Sequence, residues 1–121
     1  MSKTAVLVVD DDSGLRTMLR EVLTLEEFPV EMAENGRRAI EILSSEPHKP
    51  RIMLLGIVMP VMDGYGVLRW MEGQPEVRAR TKIVMMSTAE KLQMVPDNEV
   101  DGKVAKPFEV DGLLDALERL S

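Results

Sequence analysis

Acidic, hydroxyl and basic side chains directly follow three short apolar segments of this chain. In sequence order these side chains are Asp10 and Asp11, then Ser87 and Thr88, then Lys106. Carboxylate oxygens bind hard cations such as magnesium, and a lysine together with a hydroxyl can orient a phosphoryl group. If the fold brings these residues together, they predict a site for phosphoryl chemistry.

Each of these residues also has a purely structural interpretation. An acidic triplet after a strand is usually a turn with a helix cap, and Ser87-Thr88 would suit the cap of a following helix. Lys106 would then be a surface lysine before a turn, and Asp63-Gly64 is an ordinary turn pair. The functional interpretation is favoured because the acidic triplet, Ser87-Thr88 and Lys106 all fall at the ends of predicted strands.

Short apolar segments alternate with amphipathic segments along the whole chain. The predicted strands cover 5–9, 29–33, 52–55, 82–86 and 104–105, and the predicted helices cover 15–25, 36–43, 65–71, one or two turns in 89–95, and a last helix from 111. This order predicts an α/β fold with a doubly wound parallel sheet. Ligands of such sheets bind beyond the carboxyl ends of the strands, where the polar residues fall.

Capping and breaking residues give the expected helix ends. Ser13 is expected to cap the first helix and Asp111 the last one. Gly73 and Pro75 are expected to end the third helix. With no linker or repeat in view, residues 1–121 are expected to form a single domain.

Charge and composition exclude several classes of function. The net charge of −6 argues against direct binding of nucleic acid, which needs clustered lysine and arginine. With no cysteine, disulfides and thiolate metal sites are impossible. No apolar run approaches the length of a membrane span, and no signal-peptide pattern is present. We therefore expect a cytoplasmic protein that binds no membrane and is a monomer or a weak dimer.

The chain resembles the receiver domains of two-component response regulators over essentially its whole length. The most specific segment is 53–64, Met-Leu-Leu-Gly-Ile-Val-Met-Pro-Val-Met-Asp-Gly, in which the family carries an aspartate directly after the two leucines. The apolar run ending in Asp10-Asp11 and the sequence Lys106-Pro107-Phe108 also match the family pattern. The resemblance implies a flavodoxin-like (βα)5 fold, a five-stranded parallel sheet with strand order 2-1-3-4-5.

Two positions depart from the family pattern in ways that bear on its chemistry. Gly56 stands where the family has its phosphoacceptor aspartate, and Lys103 stands where members often carry a switch aromatic. The family's hydroxyl position is assigned to Ser87, or alternatively to Thr88. The region between Ser87 and Lys106 is also shorter than usual, which predicts a short or irregular helix there.

The resemblance also implies the roles of the remaining residues. Asp10 and Asp11 would be the acidic pocket and the metal ligands, Lys106 the lysine that contacts phosphoryl oxygens, and Pro107 the partner in a cis peptide bond. Without a carboxylate at Gly56, we expect no cofactor to be required and magnesium to bind weakly if it binds. We also expect Lys106 to form an ion pair with Asp10 or Asp11.

These observations predict a pseudo-receiver, a non-enzymatic receiver domain that acts through protein–protein contacts without phosphorylation. Its partner would be a signalling protein such as a histidine kinase or a downstream effector. Leu92, Met94 and Val95 are candidates for the partner surface, although apolar residues at such spacing are more often core.

Two alternatives stay open. Gly56 would be an engineered change in a normal phospho-accepting regulator, or the spacing Asp10-x-Asp12 would mark a small phosphatase of the haloacid dehalogenase type. The shortened region and Lys103 favour natural divergence over an engineered change, because such a change would leave both in the usual form. The phosphatase fold normally needs a longer chain and a later acidic pair.

Overall fold

Five parallel strands form the centre of the molecule, in the order β2-β1-β3-β4-β5. The computed structural model describes residues 3–121, so positions 1 and 2 of the expected domain lie outside the described residues. The strands are β1 (Ala5–Val9), β2 (Val30–Ala33), β3 (Arg51–Gly56), β4 (Thr81–Ser87) and β5 (Gly102–Ala105). The predicted fold class and strand order are confirmed.

Helices cover both faces of this sheet. They are α1 (Ser13–Leu25), α2 (Gly36–Ser45), α3 (Gly64–Glu72), α4 (Pro75–Arg80), α5 (Ala89–Leu92) and α6 (Val110–Leu120), with a 3-10 helix at Asp97–Glu99. One hydrophobic core packs α2 to α5 against the sheet, and the other packs α1 and α6. Within residues 3–121, no helix combines the length and the apolar character needed to cross a membrane.

The central strands are buried on both faces, as a parallel sheet between two helical layers requires. Every residue of β1 and of β3 is buried. Successive side chains point to opposite faces, so Leu7 and Val9 join one core while Val6 and Val8 join the other. The continuous apolar runs in the sequence follow from this double burial.

Three local expectations were wrong. Pro75 does not end a helix but begins α4, because proline suits the first turn, where its missing N–H is not needed. The carboxylate of Asp12, and not the Ser13 hydroxyl, caps α1 by accepting the N–H of Leu15 at 3.1 Å. The N-cap of α6 is Glu109, which makes no side-chain cap, and not Asp111.

A buried ion pair ties β2 to β3 at the amino-terminal end of β3. The Arg51 side chain is 1% exposed, and its guanidinium donates to both carboxylate oxygens of Glu31, at 2.8 and 3.3 Å. Burial raises the pKa of Glu31, but the hydrogen bond and charge of Arg51, with a contribution from Lys49, hold that pKa below its usual value.

This ion pair predicts part of the acid sensitivity of the fold. Because the pKa of Glu31 is lower in the folded chain, the pair stabilises the fold above the unfolded pKa, and that stability is lost as the pH falls through the folded value. We expect unfolding free energy, measured by urea titration between about pH 6 and pH 3, to fall less steeply in Glu31→Gln than in the parent. Glu34→Gln is the matched control, and an equal slope in all three proteins would contradict the assignment.

The end of α1 places a glutamate in the left-handed region. Glu27 has φ 67°, and the N–H groups of Glu27 and Phe28 donate to Thr24 and Leu23, both at 3.0 Å. This is the arrangement that usually carries glycine after a helix, with an apolar contact between the buried residues Leu23 and Phe28.

We expect Glu27→Gly to raise the free energy of unfolding by about 1 kcal/mol, because it removes the Cβ clash of a left-handed residue. Urea denaturation measures the change, provided that the dependence of the unfolding free energy on urea concentration is the same in both proteins. The matched control is Glu26→Gly, one residue earlier at φ −88°, where glycine should bring no gain. Stabilisation by both substitutions, or by neither, would count against this explanation.

Candidate functional site

A buried carboxylate forms the centre of the site. Asp10 follows β1, and its side chain is 3% exposed. One oxygen, Oδ2, accepts a hydrogen bond from Lys106 Nζ at 2.8 Å. The other oxygen, Oδ1, accepts the N–H of Asp12 at 3.0 Å. Of the two lysine pairings expected from the sequence, the structure contains the one with Asp10.

The end of β5 and the end of β4 together position the lysine. The N–H of Lys106 donates to the carbonyl of Ser87 at 2.7 Å, and the Lys106–Pro107 peptide bond is cis. The Lys106 side chain is 34% exposed, so its stem is partly covered while its ammonium group reaches Asp10. The ion pair therefore joins residues that follow the first and the last strand in the chain.

A second cation contacts the same acidic residue. Arg16 Nη1 donates to the backbone carbonyl of Asp10 at 2.6 Å. Arg16 was not predicted from the sequence as a site residue, although a basic residue near a helix N-terminus is unfavourable for the helix dipole and therefore suggests another partner. Asp11, by contrast, is exposed.

Gly56 ends β3 beside this ion pair. A Cβ placed on it would lie 3.1 Å from Asp10 Oδ2 and 3.3 Å from the carbonyl oxygen of Val9. Among the glycines of residues 3–121, none has positive φ, so the backbone of Gly56 does not require glycine. A side chain is compatible with this position if the Asp10 carboxylate shifts by a few tenths of an ångström.

The loop after Gly56 closes tightly over the end of β3. The N–H of Gly64 donates to the carbonyl of Ile57 at 2.8 Å. A Cβ on Gly64 would lie only 2.4 Å from the carbonyl oxygen of Gly56, so only glycine fits there. Asp63 caps α3 by accepting the N–H of Gly66 at 2.9 Å. The Asp63-Gly64 pair therefore has a structural role.

Ser87 and Thr88 have different surroundings. The Thr88 hydroxyl caps α5 by accepting the N–H of Lys91 at 3.3 Å. Ser87 is the last residue of β4, is buried, and pairs with Ala105 next to Lys106. The Ser87 hydroxyl is thus not engaged in the helix cap and lies on the strand that borders Gly56.

Lys103 on β5 lies away from this ion pair and holds the segment after α5. Its ammonium group donates to the carbonyl of Val95 at 2.5 Å and to the carboxylate of Asp97 at 2.7 Å. The hydrogen bond and charge of Lys103 lower the pKa of Asp97 below its usual value. The lysine therefore acts as a clamp between β5 and the 3-10 helix.

The site contains two acidic side chains that could contact a divalent cation, Asp10 and Asp11. In the part of the chain that the structure describes, no three acidic, histidine or cysteine side chains are grouped to hold a metal ion. Each carboxylate oxygen of Asp10 accepts one hydrogen bond, whereas Asp11 is exposed. Magnesium keeps several water ligands and is usually bound through one or two carboxylates, so Asp10 and Asp11 are the residues that would hold it.

The ion pair itself can be tested by a double-mutant cycle of Lys106→Met and Asp10→Asn. Lys106→Met leaves a buried carboxylate without its counter-charge, and we expect it to lower the free energy of unfolding by about 1–2 kcal/mol, since the lysine is partly exposed. The double variant should be more stable than the sum of the single effects predicts. Strictly additive effects in urea denaturation would show that the two groups do not interact.

Comparison with known proteins places this chain in a family. Residues 6–118 match the family model described as the response regulator receiver domain. The chain is 31% identical to sporulation initiation phosphotransferase F of Bacillus subtilis (strain 168), over 98% of this chain and 94% of that protein.

Solved structures give the same result. The chemotaxis response regulator CheY4 of Vibrio cholerae superposes with a TM-score of 0.85 at 28% identity, covering 99% of this chain and 100% of that chain. The response regulator TrrA of Thermotoga maritima, in complex with Mg²⁺ and BeF, has a TM-score of 0.84 at 26% identity, covering 98% and 99%. Both comparisons agree with the family match, and this chain belongs to the response regulator receiver domains of two-component signalling.

Proposed function

We propose that this chain is a pseudo-receiver, a receiver domain that accepts no phosphoryl group at Gly56 and signals through protein–protein contacts. One observation carries the proposal. The Asp10 carboxylate accepts hydrogen bonds from Lys106 and from the Asp12 N–H, and the neighbouring residue, Gly56, has no side chain. The charge of Asp10 is offset by Lys106, and the end of β3 offers no nucleophile.

Neighbouring carboxylates do not replace the missing one. Covalent catalysis needs a nucleophile whose attacking atom already lies close to the reacting centre. Both oxygens of Asp10 are committed to hydrogen bonds, and Asp11 is exposed. Attack by Asp10 would require breaking its ion pair with Lys106 in a site where the carboxylate is almost fully buried.

The same geometry supports a protein that needs no cofactor. Gly56 supplies no third carboxylate beside Asp10 and Asp11, and Asp10 is already paired with Lys106, so any magnesium binding is weak and not required for the fold. The complex of TrrA with Mg²⁺ and BeF marks a relative in which such ligands bind. For this chain we expect neither ligand to bind at concentrations that saturate an intact receiver.

The partner in this proposal is a signalling protein, either a histidine kinase or a downstream effector. Membership of the receiver family supports this class of partner and argues against the phosphatase interpretation of Asp10-x-Asp12. The net charge of −6 argues against nucleic acid as the direct ligand. The chain would work in the cytoplasm as a binding module and not as an enzyme.

Gly56→Asp tests the proposal. We expect the chain as given to gain no phosphoryl mass when it is incubated with magnesium and acetyl phosphate, because it lacks the nucleophile. We expect Gly56→Asp to gain one phosphoryl group, because the backbone accepts a Cβ and Lys106 and Ser87 stand nearby. Intact-mass spectrometry measures both.

The matched control is Gly56→Asn, which has the size of aspartate without its nucleophilic oxygen. Phosphorylation of the chain as given would show that another group accepts phosphate, and would contradict the proposal. If Gly56→Asp stays unmodified, the ion pair between Asp10 and Lys106 closes the site even to a restored nucleophile, and the pseudo-receiver proposal stands in a stronger form.

A further inference from the structure

Large apolar side chains are exposed at one rim of the molecule. Within residues 3–121, three of the four exposed large hydrophobic residues lie in the segments that follow β3 and β4, namely Val58, Val61 and Met94, which are 63%, 72% and 75% exposed. We call these three residues the apolar rim. The fourth is Leu25, at the end of α1.

Two residues of the apolar rim, Val58 and Met94, line one groove between the β3–α3 loop and α5. Its volume is about 310 Å³. Its lining is largely apolar and consists of Ile57, Val58, Met59, Tyr65 and Met94, with Asp63 and Lys91 as its charged residues. Ile57 and Met59 are buried, so they form the floor while the rim residues stand in solvent.

Val61 is held in a backbone conformation that valine avoids. Its φ is 68°, and the N–H of Met62 donates to the carbonyl of Pro60 at 2.7 Å, which closes a three-residue turn. A β-branched residue at positive φ is a genuine outlier. Strained residues of this kind cluster at functional sites, and an exposed valine gains no burial that would offset the strain.

Contacts of the next residue fix the direction in which Val61 points. The carbonyl of Met62 accepts the N–H of Gly36 at 2.9 Å. The Met62 side chain occupies space beside Gly66, where a Cβ would lie 2.6 Å from Met62 Cγ. Met62 is therefore held against Gly36 and Gly66. The turn exposes Val61 to solvent in a fixed position, where a partner could contact it.

Lys103 holds the other side of the groove, the segment that carries Met94, in a fixed position. Val95 and Leu92 are buried, as the core interpretation of these residues predicted, while Met94 between them is exposed. Because Lys103 bonds the carbonyl of Val95 and the carboxylate of Asp97, the segment that carries Met94 is tied to β5. Both sides of the groove are thus held in place without a ligand.

We propose that this groove and the apolar rim bind an amphipathic α-helix of a protein partner, with a carboxylate of that helix opposite Lys91. The inference rests on the proposed function, because it names the contact surface of the interaction module. Fixed apolar contacts lower the entropic cost of association, and methionine adapts to a partner surface.

The groove selects a helix because its walls are a loop and a helix, and not a free strand edge. A strand added to a sheet edge gains backbone hydrogen bonds, whereas a partner in a side-chain groove must satisfy its own backbone groups. The partner's charge follows from the two charged residues of the lining. Asp63 is committed to capping α3, whereas Lys91 is exposed and forms no ion pair with residues 3–121.

The test uses a synthetic helical peptide of about 18 residues, long enough to be helical on binding, with leucines on one face and glutamates flanking them. It is titrated into the full chain labelled with ¹³C at the methionine methyl groups. We expect the signals of Met94 and Met59 to shift, and those of Met18 and Met32, which pack in the other core, to stay. A peptide with lysine in place of each glutamate should bind about tenfold more weakly.

Matched variants of the apolar residues locate the surface. Met94→Gln should weaken binding about tenfold, as expected for a central contact. Val61→Asn should weaken binding and at the same time stabilise the fold, because asparagine tolerates positive φ. Leu25→Gln removes an equally exposed apolar side chain on α1 and should leave binding unchanged.

Several results would overturn the proposal: no shift of Met94 at millimolar peptide, loss of binding in Leu25→Gln but not in Met94→Gln, or dimerisation of the chain through this face. Phosphorylation experiments separate this inference from the proposed function. If the chain is phosphorylated and also binds the acidic peptide at Met94, the docking surface is supported and the pseudo-receiver proposal is contradicted. If the chain is not phosphorylated and the Met94 signal does not shift, the docking surface is contradicted and the pseudo-receiver proposal is supported.

Discussion

The ion pair of the buried Asp10 carboxylate, at the end of β1, underlies the rest of the structure, because a buried negative charge requires a positive charge beside it. Transfer of an uncompensated ion into a protein interior costs several kcal/mol. Lys106 supplies the charge at 2.8 Å, and the Asp12 N–H satisfies the second oxygen. Because β1 lies second in the sheet and β5 forms the far edge, the lysine that follows β5 reaches Asp10 across the ends of β3 and β4.

Close backbone packing is the second constraint at this end of the sheet. Gly64 fits against the carbonyl of Gly56 only because it has no Cβ, and Gly36 makes room for Met62 in the same way. The loop between β3 and α3 is therefore held by contacts that tolerate almost no change of volume. A fixed loop explains how a strained valine persists in it, since the surrounding contacts determine the backbone more strongly than the preference of Val61 does.

The sequence predicted the fold well because its strongest signals are those that burial controls. Fully buried strands require continuous apolar runs, so β1 and β3 were visible in the sequence, as was the convergence of Asp10 and Lys106. The sequence could not reveal which side chain forms the hydrogen bond with a polar group when several candidates lie within reach. Ser13 and Asp12 both suit a cap, and only the backbone geometry selects Asp12. Arg51 and Arg16 were missed for a related reason, because their partners, Glu31 and the Asp10 carbonyl, lie beside them only in the folded chain.

The ion pair between Asp10 and Lys106 joins residues 96 positions apart, and this separation has a consequence for synthesis on the ribosome. A nascent chain that has completed β1, β3 and β4 can collapse around its apolar strands, but Asp10 then lacks its counter-charge until the segment after β5 has emerged. Contacts of such long sequence separation form late, because loop closure must come first. The segment from β5 onward thus decides when the domain becomes native, and a fragment released before Lys106 would remain a target for proteolysis.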